Sequence, residues 1–228
     1  MSVILTNQNE ASHNLIDAKG DKITFMFEEI ELQKPQIERL IRNIQSPVLV
    51  TGHGISEPNV VHLFDSQEAF EDWAAGTKFA PKFVQMNKAI ASLQRQHRLN
   101  DLSALRREKP IFDKVFVDPM AEESLGYSEA ADGSYPIPGG SKSDIAVLYE
   151  QPNFQGRWFP MGPTALPNLS VVGMHQQVSS LRLTGICLLC DQTWFHGARL
   201  YLVGDPLLQV SDLRDWGFND RAASAIVL

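Results

Sequence analysis

The chain has 228 residues, 43% of them hydrophobic, and carries a formal net charge of −7. That length suffices for two modest domains or one large one, and the composition is that of an ordinary globular protein. No apolar run reaches membrane-spanning length, and the acidic balance argues against nucleic acid as the partner. The start, Met1-Ser2-Val3-Ile4-Leu5-Thr6-Asn7, lacks a basic stretch and an apolar core of signal-peptide type, so a full-length chain is expected to be cytoplasmic.

Lys22 to Leu32 reads as a strand, with Ile23, Phe25 and Phe27 alternating with polar residues before Ile30 and Leu32. Pro35 opens a helix with Ile37, Leu40, Ile41 and Ile44 at helical spacing. Val48-Leu49-Val50 and the run Val60 to Phe64 are strand-like and joined through Gly52-His53-Gly54. Asp65 or Ser66 caps a helix through Ala75. A second helix spans about Pro81 to Arg98, with Phe83, Met86, Ile90, Leu93 and His97 on one stripe. Asn100 or Asp101 is expected to cap a third, short helix, and Val115-Phe116-Val117 reads as a strand. Residues 1–127 are therefore expected to form an α+β domain, and they resemble no recognised family.

From Lys78 to Lys114 nine Lys/Arg face three acids. Lys82, Lys88, Arg95, Arg98, Arg106 and Arg107 are the candidates for holding an anionic ligand or an acidic partner. The competing reading is that they neutralise the chain's own Glu28, Glu29 and Glu31. Basic residues without interleaved aromatics are a poor nucleic-acid surface. Three histidines are candidate general bases: His53 between two glycines, His62 near Asp65, and His196 in Trp194-Phe195-His196. Each reads equally as a turn or packing residue, and no nucleophile elbow, zinc-protease pair or phosphate loop accompanies them. Residues 128–143 are dense in Gly, Pro and Ser and read as a linker.

Beyond it, the apolar run Ile145-Ala146-Val147-Leu148 leads into Tyr149-Glu150-Gln151-Pro152-Asn153-Phe154-Gln155-Gly156. This is a strand, a tight turn and the start of a return strand, with Gly156 where a folded hairpin needs positive φ and Tyr149 placed to cover the corner. The octet resembles the Greek-key signature of the βγ-crystallin family. The resemblance implies a second motif, and Phe195-His196-Gly197 supplies it, with the two glycines 41 residues apart. Cys190 stands where Tyr149 would recur. Both halves close alike, through Ser180 and Ser224, which are 44 residues apart. Residues 144–228 are thus expected to form a βγ-crystallin-like double Greek-key sandwich of about eight antiparallel strands in an all-β domain.

The resemblance implies calcium loops of two Asn/Asp, two variable residues and Ser/Thr-Ser. Here the first loop is His175-Gln176-Gln177-Val178-Ser179-Ser180 and the second Asn219-Asp220-Arg221-Ala222-Ala223-Ser224. Each has lost a different part. No cofactor is required, and what remains is at most a weak Ca²⁺ site at Asn219 and Asp220, joined by Ser179 if the two loops exchange ligands. The pair Cys187 and Cys190 lies on a strand, where positions i and i+3 face opposite ways, so two free thiols are expected and no disulfide or metal. The leading functional expectation is a non-enzymatic binding or structural protein whose activity lies in residues 1–127 or at their junction with the sandwich. The alternatives are an enzyme with a small-molecule pocket between the domains, and a toxin- or inhibitor-like module docking a partner protein.

Overall fold

The computed structural model describes residues 23–55, 60–108, 128–138 and 140–228. Thr24–Phe27 (β1) and Ile30–Leu32 (β2) form an antiparallel hairpin. The single strand expected over Lys22 to Leu32 is broken at Glu28 and Glu29, whose φ values of 47° and 64° make a two-residue turn. Helix α1 (Lys34–Asn43) follows, with Pro35 in its first turn. Val48–Gly52 (β3) and Val60–Phe64 (β4) pair antiparallel, and β4 runs parallel to β1.

Ser66 caps α2 (Gln67–Ala74) by accepting the Ala69 amide at 3.2 Å. Helix α3 (Ala80–Glu108) is continuous through Asn100 and Asp101, so the separate short helix does not form. Its only proline is Pro81, in the first turn, and it contains no glycine, so nothing in its backbone forces a break. Val115 to Val117 lie outside the described residues.

Tyr135–Pro136 (β5) falls within the segment read as a linker. The remaining strands are Ile145–Gln151 (β6), Gln155–Met161 (β7), Thr164–Leu166 (β8), Ser180–Cys190 (β9), Arg199–Val210 (β10) and Ser224–Val227 (β11). Residues 144–228 thus contain six strands where eight short ones were expected. The difference lies in β9 and β10, each of which serves two sheets. The first half of β9 pairs with β6 and the second with β11. β10 pairs along both halves of β9, with a register shift between Gly204 and Leu208. One arm is therefore β7-β6-β9-β10 and the other β8-β11-β9-β10, so each Greek-key motif lends a strand to the other's sheet.

The second arm grows at both edges. β5 pairs with β8, and β3 pairs in parallel with β10, giving the order β2-β1-β4-β3-β10-β9-β11-β8-β5. One sheet runs through both regions that the sequence suggested were separate. Leu200 and Leu202 face the sandwich interior with Leu148, Leu181 and Val227, a core that also holds Phe25, Leu49 and Leu63. Tyr201 and Val203 face the other way, with Ile186, Leu188 and Ile226, against Phe70 of α2 and Phe83, Met86, Ile90 and Leu93 of α3. The runs Ile186 to Cys190, Leu200 to Val203 and Ala225 to Leu228 are apolar without alternation, as strands covered on both faces must be.

The two motifs differ in whether their return strand accepts a neighbour. On β10 the Arg199 amide donates to the Pro47 carbonyl at 2.9 Å, and the Val203 carbonyl accepts the His53 amide at 2.9 Å. Tyr201, by alternation, is the middle member of this outward row. Its counterpart on β7, displaced by 41 residues, is Pro160. Proline has no N–H to donate, and among the described residues β7 is an edge whereas β10 carries β3.

Candidate functional site

The corners repeat in detail. Gly156 and Gly197 have φ of 77° and 76°, Asn153 and Trp194 56° and 57°, and Phe154 and Phe195 both 61°. Two successive left-handed non-glycine residues cost about 1–2 kcal/mol each. A hydroxyl stitches each corner: Ser180 accepts the Phe154 amide at 3.0 Å and donates to the Gln151 carbonyl at 2.6 Å. Ser224 does the same for Phe195 and Gln192 at 3.0 and 2.7 Å. Tyr149 meets Phe154 edge-on at 5.6 Å, with the Arg182 guanidinium over the Phe154 ring. At the second corner Trp194 instead stacks on His97 of α3, with centroids 3.8 Å apart, and its carbonyl accepts from Gln94 at 2.7 Å.

The two loops before the closing strands also match. Gln176 and Asp220 have φ of 53° and 52°. Ser179 of one loop donates to Asp220 Oδ1 of the other at 3.0 Å, and Asn219 Nδ2 to Asp220 Oδ2 at 2.6 Å. The three oxygen-bearing residues singled out from the sequence are thus adjacent. Arg221 turns away, to Asp191 at 2.7 Å and the Gly217 carbonyl at 2.7 Å. A hard cation takes six or more oxygens. Asp220 supplies the loop pair's only carboxylate, both of its oxygens are engaged, and Ala223 brings none. Among the described residues no group of three or more His, Cys, Asp or Glu is arranged to hold a metal.

Cys187 and Cys190 are free thiols, buried on opposite faces of β9 in the two cores. Burial raises both, Cys190 to about 12, so neither is a nucleophile near neutral pH.

Among the described residues the basic side chains of α3 do not converge. Lys82 turns to the sandwich and pairs with Asp144 at 2.8 Å, and Lys78, just before the helix, pairs with Asp205 at 2.6 Å. The acids that neutralise these two lysines belong to the sandwich, not to the Glu28–Glu31 hairpin. Lys88, Arg95 and Arg98 are exposed, and the side chains of Arg106 and Arg107 lie outside the described residues.

The histidines are equally scattered. His53 is exposed beyond β3. His62 packs at 4.8 Å from the Trp73 ring, and burial lowers its pKa. His196 is exposed at the second corner, its pKa lowered by desolvation and by Arg199, Arg98 and His97.

Between α3 and the bends of β9 and β10 lies a cleft of about 450 Å³, lined by Phe79, Lys82, Ser143, Asp144, Thr184, Gly185, Gly204, Asp205 and Pro206. The Asp144 side chain is only 10% exposed and also accepts the Ser141 amide at 3.3 Å. Thr184 is occupied, accepting the Ile145 amide at 3.1 Å and donating to the Ser143 carbonyl. Of these residues only Lys82 was singled out from the sequence. Ser143 ends a segment that reads as a linker and Asp144 follows it, and Asp205 and Pro206 are ordinary turn residues in the sequence.

Residues 145–227 match the family model described as Beta/Gamma crystallin, and with the strand exchange and paired corners they define a βγ-crystallin domain. The preceding region has no family match. Similar solved structures include a beta gamma crystallin from Ciona intestinalis, 23% identical over 37% of this chain and 99% of that one, with a TM-score of 0.34. A structure titled for the evolution of the eye lens beta-gamma-crystallin domain fold is 27% identical over 39% of this chain and 87% of that one, with a TM-score of 0.35. A betagamma-crystallin from an archaeon is 18% identical over 37% and 98%, with a TM-score of 0.33. A comparison with curated proteins finds no match. Among the described residues no helix is long and apolar enough to cross a membrane.

Proposed function

We propose that this is a non-enzymatic binding protein in which the βγ-crystallin domain is scaffold, its calcium sites are degraded, and the specific site is the cleft between α3 and the sandwich. The observation that carries this reading is the cleft itself. It is where charged side chains of the two regions meet, Lys82 with the well-buried Asp144 and Lys78 with Asp205, beside the apolar surface of Phe79 and Pro206. Small-molecule sites favour such junctions, and the volume is within their usual range of roughly 300–1,000 Å³.

The enzyme reading shares this cleft but lacks support there, because His53, His62 and His196 do not line it. Calcium is expected to bind weakly or not at all, and any residual site should depend on Asp220.

The test is a fragment screen by ligand-observed NMR on the intact chain and on Phe79→Ala. Hits lost in the variant support the cleft. Hits that persist unchanged, or none, refute it. Calorimetric titration with Ca²⁺ checks the second part, and two sites of micromolar affinity would refute it.

A further inference from the structure

Resting on the reading of the cleft as the binding site, the geometry points to its ligand class: we propose a small zwitterion with one apolar group, of the α-amino acid type. The cleft holds both signs of charge in close pairs. Lys82 Nζ lies 2.8 Å from Asp144 Oδ2, and Asp205 is held at 2.6 Å by Lys78. A simple anion approaching Lys82 also meets the carboxylates of Asp144 and Asp205. A simple cation approaching those carboxylates also meets the two ammonium groups. For either ion attraction and repulsion nearly cancel, because the field of a close pair is that of a dipole.

A ligand carrying both charges a short distance apart escapes this cancellation. Laid antiparallel to the Lys82–Asp144 pair, its carboxylate adjoins Nζ and its ammonium adjoins the Asp144 carboxylate. Nζ has three protons, of which the Asp144 contact uses one. The side-chain bonds to Asp144, from Lys82 and from the Ser141 amide, both end on Oδ2, and Asp144 is among the residues that line the cleft. The pair is half-withdrawn from water, with Asp144 10% and Lys82 38% exposed, which strengthens such contacts over those on an open surface.

The remaining lining selects the rest of the molecule. Phe79 and Pro206 give apolar surface, and the bends at Gly185 and Gly204 present backbone without side chains. Thr184 is bound internally and adds little demand for a polar ligand body.

The test uses the intact chain at neutral pH with three probes titrated by calorimetry and mapped by NMR: L-phenylalanine, phenylacetate and phenethylamine. L-phenylalanine is expected to bind at least about tenfold more tightly than either half-molecule. The neutral double variant Lys82→Met/Asp144→Asn, which leaves no unpaired buried charge, is expected to lose about tenfold in affinity for L-phenylalanine while keeping its circular dichroism and unfolding midpoint. Phe79→Ala should weaken L-phenylalanine with the charges intact.

Failure of L-phenylalanine to bind at millimolar concentration, or binding no tighter than that of its halves, overturns the zwitterion assignment. So does unchanged binding by a folded double variant. If uncharged fragments perturb the Phe79 and Pro206 environments while L-phenylalanine does not, the zwitterion assignment falls and the cleft stands as the site. If no probe or fragment perturbs them, both fall.

Discussion

Expressing residues 144–228 without the preceding region strips α2 and α3 from one face of the second arm and β3 and β5 from its two edges. In the intact chain Ile186, Leu188, Tyr201, Val203, Ile226 and Leu228 are all 1% exposed or less. Full burial of such a side chain is worth about 1.5–3 kcal/mol. Each keeps its strand neighbours when the helices go, so re-exposure costs roughly half of that, about 1 kcal/mol apiece. Six residues therefore forfeit about 6 kcal/mol, against a total stability of about 5–15 kcal/mol for a domain. Tyr201 adds a polar loss, since its hydroxyl bonds Asn87 of α3 at 3.1 Å and Gln67 of α2 at 3.4 Å. The isolated sandwich should be aggregated or, if soluble, should bind a hydrophobic dye and unfold at markedly lower urea than the intact chain. Size-exclusion chromatography with light scattering and urea titration followed by tryptophan fluorescence measure this. A monomeric fragment with the midpoint of the full chain would refute the reasoning, showing that the helices lie on the sheet without contributing to its stability.

The two corner glycines should differ. A Cβ at Gly197 would come within 2.0 Å of Asp191 Oδ1, which already accepts the Ala198 amide, whereas one at Gly156 meets the flexible Gln151 Cγ at 3.0 Å. Gly156→Ala should cost about 1–2 kcal/mol, mainly from its positive φ, and Gly197→Ala about 2–4 kcal/mol; equal urea midpoints would contradict this. Stability should fall with acid. The fold lowers the pKa of His62 and His196, so the unfolded chain protonates first as pH drops. Their contribution is intact above about pH 6.5 and is lost as pH falls toward the folded values. His62→Gln should flatten the fall in urea midpoint below neutrality, and an unchanged slope would exclude His62 as its source. Pro160→Val restores the missing donor on the outward row of β7 and should shift the chain toward larger species in sedimentation velocity. A folded variant with the sedimentation profile of the parent would show that something other than the missing N–H protects that edge.

How far the sequence reached depends on whether the interaction is local. The corner at Tyr149 to Gly156 and its echo at Gly197 are legible because positive φ, a folded hairpin and a serine stitch are demands on a few consecutive residues. The same holds for the Ser66 cap and for the buried stripe of α3. The opposite faces of Cys187 and Cys190 follow from the period of a strand alone. The unbroken apolar runs of β9, β10 and β11 fit a sheet covered on both sides, although residues 144–228 read as a separate sandwich. The tertiary structure decided the rest. That β3 adds to β10, that β5 arises inside a Gly/Pro/Ser-rich segment, and that Lys82 meets Asp144 across 62 positions are pairings between distant segments. Their partners are chosen by which edges and faces remain open once the chain has folded. Local composition records that an edge donor is present at Tyr201 and missing at Pro160, but only the assembled sheet gives that difference a consequence.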